Sequence, residues 1–156
     1  MSEFQTVLYQ SGIGILKLTG STEGLHSLEF TDEKSAQQNG TPACLQECVQ
    51  QLSEYFQGKR KHFDLKLNPS GTPFQQSVWQ QLLKIPYGQT ATYLDIAVAI
   101  GKRKAIRAVG AANGRNKIPI IIPCHRVIGS DGSLIGFGGG IWRKEWLLKH
   151  EKVVML

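Results

Sequence analysis

Between residues 4 and 30 the apolar positions come in short runs broken by Gly, Ser and Thr. Phe4 to Tyr9, Gly14 to Leu18 and Leu25 to Phe30 are predicted as β-strands. The polar stretch 31–41, ending at Asn39-Gly40, is predicted as a loop. Thr41-Pro42 then resembles a helix start. Leu45, Val49, Leu52 and Phe56 follow at i, i+4, i+7 and i+11, which gives one buried face before Gly58. Residues 62–67 alternate Phe63, Leu65 and Leu67 with polar neighbours, a strand pattern, and Asn68-Pro69-Ser70-Gly71 is a turn. That turn divides the chain into an α/β lobe, 1–70, expected to be structural, and a second domain, 71–156.

The second domain opens on Thr72-Pro73-Phe74-Gln75, a capping-box pattern with Pro at N1. Phe74, Val78 and Leu82 form its apolar stripe, with Trp79 and Leu83 beside it, and Pro86-Tyr87-Gly88 stops it. Thr92 is an N-cap for a helix over 93–100. Gly101 follows, and then a basic helix over 103–112. Two short helices around a glycine turn predict a helix-turn-helix. Ile118 to Ile122 is an apolar run with strand character. Gly136 to Gly140 is a loop, and Trp142 to Glu151 a closing helix. The fold class is therefore α+β.

Composition sharpens this outline. With 41% hydrophobic and 19% charged residues, the 156-residue chain holds enough apolar material for a core and is not disordered. The net charge of +6 is one-sided. Residues 1–78 carry 6 basic and 8 acidic side chains, and 79–156 carry 12 and 4. No Asp or Glu occurs from Ile96 to Ser130, a stretch with seven Lys or Arg. Such a half suits either a polyanion or a solvated basic surface. No apolar run approaches the ~20 residues needed to cross a bilayer, so no membrane partner is expected. Three cysteines, an odd count without a signal-peptide pattern, fit a reducing cytoplasm.

The helix over 103–112 is rich in small residues: Ala105, Ala108, Gly110, Ala111 and Ala112 stand among Lys104 and Arg107. Small side chains allow close approach, either to another helix or to a narrow groove. The helix lacks the Asn and Gln that read major-groove base edges, which favours backbone contact and a minor-groove approach. Cys44 and Cys48 lie at i, i+4 without two further ligands at zinc spacing, so no metal is expected, and Cys48 belongs to the core. His26, His62 and His150 are expected at the surface or in packing, and Trp79 and Trp146 in the core. Cys124 stands between an apolar run and His125-Arg126, neighbours that favour a thiolate. It is either a nucleophile or a buried inert thiol beside a surface histidine.

Pro123-Cys124-His125-Arg126-Val127 resembles the active-site signature of the O6-alkylguanine-DNA alkyltransferases, the methylated-DNA–protein-cysteine methyltransferases. Pro86-Tyr87-Gly88 with Thr92-Tyr93 is similar to the entry to that family's helix-turn-helix, and Lys104 to Gly110 to its recognition helix. Gly139-Gly140 and Lys144 to Glu151 resemble its C-terminal loop and helix. The likeness runs in order over 72–151. In residues 1–70 it is a likeness of layout only.

This resemblance implies a winged-helix-like DNA-binding lobe and a reaction. An alkyl group passes from guanine O6, with O4-alkylthymine left open, to Cys124, irreversibly and once per molecule, without a cofactor. It assigns His125 as base through a water, Glu151 as its partner, and Asn116 as the brace of the turn. Tyr93 would supply the proton or donor for the leaving guanine. The Gly138 N–H would contact O6, and the carbonyls of Cys124 and Val127 the guanine amino group. The nucleotide must be flipped out of the duplex. Arg107 would fill the gap, and Tyr93, Lys102 and Ser130 would meet phosphates. Ala105, Ala108 and Gly110 would line the minor-groove face. The expected partner is double-stranded DNA carrying O6-alkylguanine, met by a monomer. Some relatives have a serine at Gly138, and alkyltransferase-like proteins replace the acceptor cysteine, which is present here. A DNA-binding module without chemistry is the first alternative, opposed by Cys124, His125 and Glu151. A cysteine hydrolase or redox enzyme is the second, opposed by the small-residue helix and the missing CxxC.

Overall fold

The computed structural model describes residues 3–36 and 40–153. Two compact units result, Met1–Ser70 and Gly71–Leu156. The expected loop over 31–41 includes Asn39, which lies outside the described residues.

In the first unit β1 (Gln5–Ser11), β2 (Gly14–Ser21) and β3 (Gly24–Thr31) form an antiparallel meander in the order β1-β2-β3, with Tyr9 opposite Leu16 and Leu18 opposite Leu28. Helix α1 (Ala43–Phe56) packs on it. The buried face of α1 is Leu45, Cys48, Leu52 and Tyr55, with the Gln51 side chain. Val49 and Phe56, expected inside, are only half-buried. The stripe runs i, i+3, i+7, i+10, so the cysteine and tyrosine carry it. Pro42 sits at the N-cap, one position before its expected N1.

Residues 62–67 are not a strand, although Phe63, Leu65 and Leu67 are alternately half-buried as the pattern requires. Backbone partners come from elsewhere. The Gln51 side chain bonds the Asp64 carbonyl at 3.0 Å and the Asp64 N–H at 2.8 Å. The Leu25 N–H donates to the Lys66 carbonyl at 2.9 Å, leaving one bridge, Leu25 to Leu67. Gly24 makes this approach possible: its φ is +125°, and a Cβ there would stand 2.8 Å from the Lys66 carbonyl oxygen.

In the second unit α2 (Pro73–Leu82) begins with both bonds of the Thr72–Gln75 capping box. Val78, Trp79 and Leu82 are buried, and Leu83, expected beside them, is exposed. The Trp79 indole N–H donates to the Ala112 carbonyl at 2.9 Å, which fixes α2 to α4. A second capping box, Thr92–Asp95, starts α3 (Tyr93–Ala99). Gly101, at φ +73°, makes the turn into α4 (Ile106–Gly114). The basic helix therefore starts three residues later than expected. Lys102, Arg103 and Lys104 lie in the turn before it, where the backbone N–H groups of Lys102 and Ala105 are taken up by turn bonds.

The apolar run 118–122 is a set of buried turns and not a strand. The Ile122 N–H donates to the Ile118 carbonyl, and Ile120 takes φ +75°, a conformation costing a β-branched residue about 1–3 kcal/mol. Next come a 3-10 turn, Cys124–Arg126, and β5 (Val127–Ile128), which pairs in parallel with β4 (Ala91–Thr92). Gly140 leads into α5 (Ile141–His150). Trp146, expected in the core, is half-buried and stacks on His150 at 5.0 Å. Among the described residues no helix is long and apolar enough to cross a membrane, and no cluster of His, Cys, Asp or Glu could hold a metal ion.

Candidate active site

All the residues singled out for chemistry fall in the second unit. The buried turns before Cys124 are held by Asn116. Its amide donates to the Ile122 carbonyl at 2.7 Å and accepts from the Ile118 N–H at 3.0 Å. The same side chain also favours the Cys124 thiolate. Asn113, on the buried face of α4, donates to the Cys124 carbonyl at 3.4 Å, and its own Oδ1 is buried with no partner among the described residues.

Cys124 is 3% exposed. Burial pushes its thiol up to about 11, opposed by the Asn116 amide, by the positive charge of Lys144 and by the local amides. The resting sulfur is therefore a protonated thiol that needs a base.

His125 is fully buried, and its Nε2 lies 2.7 Å from Glu151 Oε2. Burial holds the imidazole below its ordinary pKa, against the pull of Glu151. Glu151 would be raised by burial, but hydrogen bonds from His125 and Arg126 hold it well below the usual carboxylate range. An ionised carboxylate only accepts, so Nε2 carries the hydrogen and Nδ1 of the neutral ring keeps its lone pair. Nδ1 is buried and has no partner among the described residues.

Sequence reasoning placed Arg126 beside the thiol, but its guanidinium turns elsewhere. Its Nε and one Nη donate to the two Glu151 oxygens at 2.8 and 3.0 Å, and its other Nη donates to the Ile85 carbonyl at 2.7 Å. Its part in orienting Glu151 was missed. Lys144 was missed as well. It is fully buried and donates to the Ile135 carbonyl at 2.7 Å. The signal was in the spacing: Lys144, Leu147, Leu148 and Glu151 all lie on the buried stripe that closes α5.

Tyr93, at the start of α3, is 8% exposed, and its hydroxyl donates to the same Ile135 carbonyl at 2.9 Å. Burial raises it, as does the nearby Cys124. Val127 is buried in β5, and Gly138 is exposed in the loop before α5. On α4, Arg107 and Ala108 are exposed together with Ala111 and Gly114. Ala105 sits at the N-cap, and Gly110 is half-buried with its Cβ direction toward the Tyr93 ring. Lys102 is exposed, 6.0 Å from the Phe74 ring centre, and Ser130 is exposed in the turn after β5. Lys102, Arg103, Lys104, Arg107, Arg115 and Lys117 are all exposed, so this surface is basic.

The fold and the cluster define a class: a helix-turn-helix protein with a buried thiol next to a carboxylate-oriented neutral imidazole. Comparison with known proteins makes it specific. The family model of the 6-O-methylguanine DNA methyltransferase DNA binding domain matches residues 73–153, and that of the ribonuclease-like domain of the same methyltransferases matches 6–69. The chain belongs to the methylated-DNA–protein-cysteine methyltransferase family. It is 51% identical over 150 residues to the Methanosarcina barkeri protein of that name, covering 93% of this chain and 95% of the relative. A crystal structure of the Mycobacterium tuberculosis O6-methylguanine methyltransferase superposes with a TM-score of 0.86 at 45% identity, covering 96% of this chain and 93% of that one. A crystal structure of M. tuberculosis OGT in complex with DNA gives 0.84 at 47% identity, covering 96% and 92%.

Proposed function

We propose that this protein reverses alkylation damage in DNA directly, taking the alkyl group of O6-alkylguanine onto its own Cys124. The observation that carries the residue assignment is the His125–Glu151 bond of 2.7 Å beside the buried Cys124 thiol. In the transfer the sulfur attacks the alkyl carbon in line, the S–C bond forms and the C–O6 bond breaks. His125 Nδ1 takes the thiol proton through a water, and Glu151 offsets the charge the ring then carries. The departing guanine gains a proton from Tyr93, whose hydroxyl leaves the Ile135 carbonyl to reach it. The Gly138 N–H bonds O6, and the carbonyls of Cys124 and Val127 accept from the exocyclic amine. Asn116 holds the turn in place.

The alkylated nucleotide has to leave the stack to meet a sulfur this buried. Arg107, exposed on α4, takes its place, and Tyr93, Lys102 and Ser130 meet phosphates. The small residues Ala105 and Ala108 allow α4 into a minor groove about 6 Å wide, whereas Gly110, expected on that face, points to the Tyr93 ring. O4-alkylthymine is a second substrate on this scheme, and the protein acts as a cytoplasmic monomer. The thioether product has no good leaving group, so each molecule acts once.

The test mixes protein with excess duplex carrying radiolabelled O6-methylguanine. One methyl per protein should transfer in a burst, with the label on the peptide containing Cys124. Sustained turnover, or label on Cys44 or Cys48, would overturn the reading.

A further inference from the structure

Among the described residues two buried side-chain atoms have no hydrogen-bond partner, Asn113 Oδ1 and His125 Nδ1. Both residues are closed to solvent, at 1% and 0% exposure. Buried polar atoms are nearly always satisfied, so two open acceptors in one site point to a shared donor. They meet at a single peptide. The Asn113 amide donates from Nδ2 to the Cys124 carbonyl at 3.4 Å, and that carbonyl belongs to the peptide joining Cys124 to His125. The orientation of the amide is thereby fixed, because the reverse would set oxygen against oxygen. Oδ1 is the end left open.

We propose that Asn113 is a positioning residue of the transfer: its Oδ1 holds the water that carries the Cys124 proton to His125 Nδ1. This deepens the alkyl-transfer reading above and rests on it. A water has two hydrogens to donate, one for each open acceptor, and its oxygen keeps a lone pair for the thiol hydrogen. In the transfer the water gives a proton to Nδ1 as it takes the proton of the thiol, so it stays neutral. The electron pair left on Sγ forms the S–C bond as the C–O6 bond breaks. The hydrogen donated to Asn113 does not move, and it keeps the water from turning to other partners. The neighbouring side chains are committed elsewhere. Asn116 uses its amide on the Ile122 carbonyl and the Ile118 N–H. Arg126 uses its guanidinium on Glu151 and the Ile85 carbonyl. The make-up of α4 agrees. Asn113 shares the buried face of that helix with Val109 and Ala112, where an apolar side chain would pack without leaving an acceptor open.

The experiment compares Asn113→Leu with the parent protein, both labelled with nitrogen-15 histidine and free of DNA, at a pH above the histidine range. In Asn113→Leu the His125 Nδ1 resonance should move downfield, toward a pyridine-type nitrogen that accepts no hydrogen bond. Nε2 should hold its position through Glu151. A merely structural loss would disturb both nitrogens. Single-turnover transfer at saturating alkylated duplex should fall about a hundredfold, the scale of a misplaced reacting group. Duplex affinity should stay within about threefold, the scale of a side chain that makes no phosphate contact. An unmoved Nδ1 in folded Asn113→Leu would overturn the proposal, and so would movement of both nitrogens together. If Asn113→Leu does not fold, an atomic-resolution crystal structure of the parent protein decides. A water within about 3.2 Å of both Asn113 Oδ1 and His125 Nδ1 supports the proposal, and a water on Nδ1 alone, or none, overturns it. Neither the imidazole spectrum nor the crystal needs DNA, so both judge Asn113 even if the parent protein transfers no alkyl group.

Discussion

Cys48 and Cys124 are both 3% exposed, one in each unit, yet they are different chemical objects. Burial alone pushes Cys48 up to about 12, and nothing opposes it. Cys124 is buried as deeply, but an amide side chain, a buried lysine and local N–H groups all favour its thiolate, and it stops at about 11. The lesson is that burial does not separate a core thiol from a working one. What separates them is whether the surrounding groups oppose the burial, and whether a base with a free lone pair is at hand.

The comparison breaks most sharply at the sulfurs themselves. Cys124→Ser should abolish alkyl transfer while leaving duplex affinity within about threefold, since the thiol makes no phosphate contact. Burst stoichiometry and gel-shift titration read the two quantities. Glu151→Gln comes next. It removes the charge that orients His125 and strands the Arg126 guanidinium, so the transfer rate constant should fall about 10²–10⁴-fold and stability by about 3–5 kcal/mol. Stopped-flow transfer and urea unfolding would record both. Arg107→Ala should slow transfer about tenfold by weakening the flipped-out state, with little effect on reaction of Cys124 with a small thiosulfonate. Cys48→Ala should leave transfer untouched and cost roughly 1 kcal/mol through its small cavity, seen in denaturant melts.

Acid should act through the same cluster. His125 is depressed in the fold, so the unfolded chain takes up its proton first, near pH ~6.5. Stability should therefore fall as the pH drops through that range, and transfer should fall as the base becomes protonated. Glu151 is also depressed, so a second loss should begin near the ordinary carboxylate range of about 4.3 and continue below it. Thermal melts between pH 8 and 3 should show both steps, and Glu151→Gln should remove the second.

Where a segment's burial and its hydrogen bonds are set locally, its sequence predicts it well. The Thr72–Gln75 and Thr92 starts follow from side chains three residues away, and α2 and α3 begin where expected. The misses share a cause. Residues 62–67 have the alternation of a strand, but their backbone is satisfied by Gln51 and Leu25, far away in sequence. The run 118–122 is apolar because it is buried on all sides, and an isoleucine at φ +75° has no local signature. At the site, Cys124, His125 and Glu151 were legible through their motif. The turn of Arg126 toward Glu151 and the burial of Lys144 were not, because both depend on which way α5 faces once packed.

One consequence concerns folding. The bonds that organise the thiol join residues 26 and 41 positions apart, His125 to Glu151 and Arg126 to Ile85. Contacts of such separation form after local helices and are lost when any one contributing segment opens. A chain with α5 frayed would still hold α3 and α4 and could still grip DNA, but its cysteine would be an ordinary solvent thiol without a base. Chemical competence is therefore a stricter test of the native state than DNA affinity, and it should disappear first along any route of progressive unfolding.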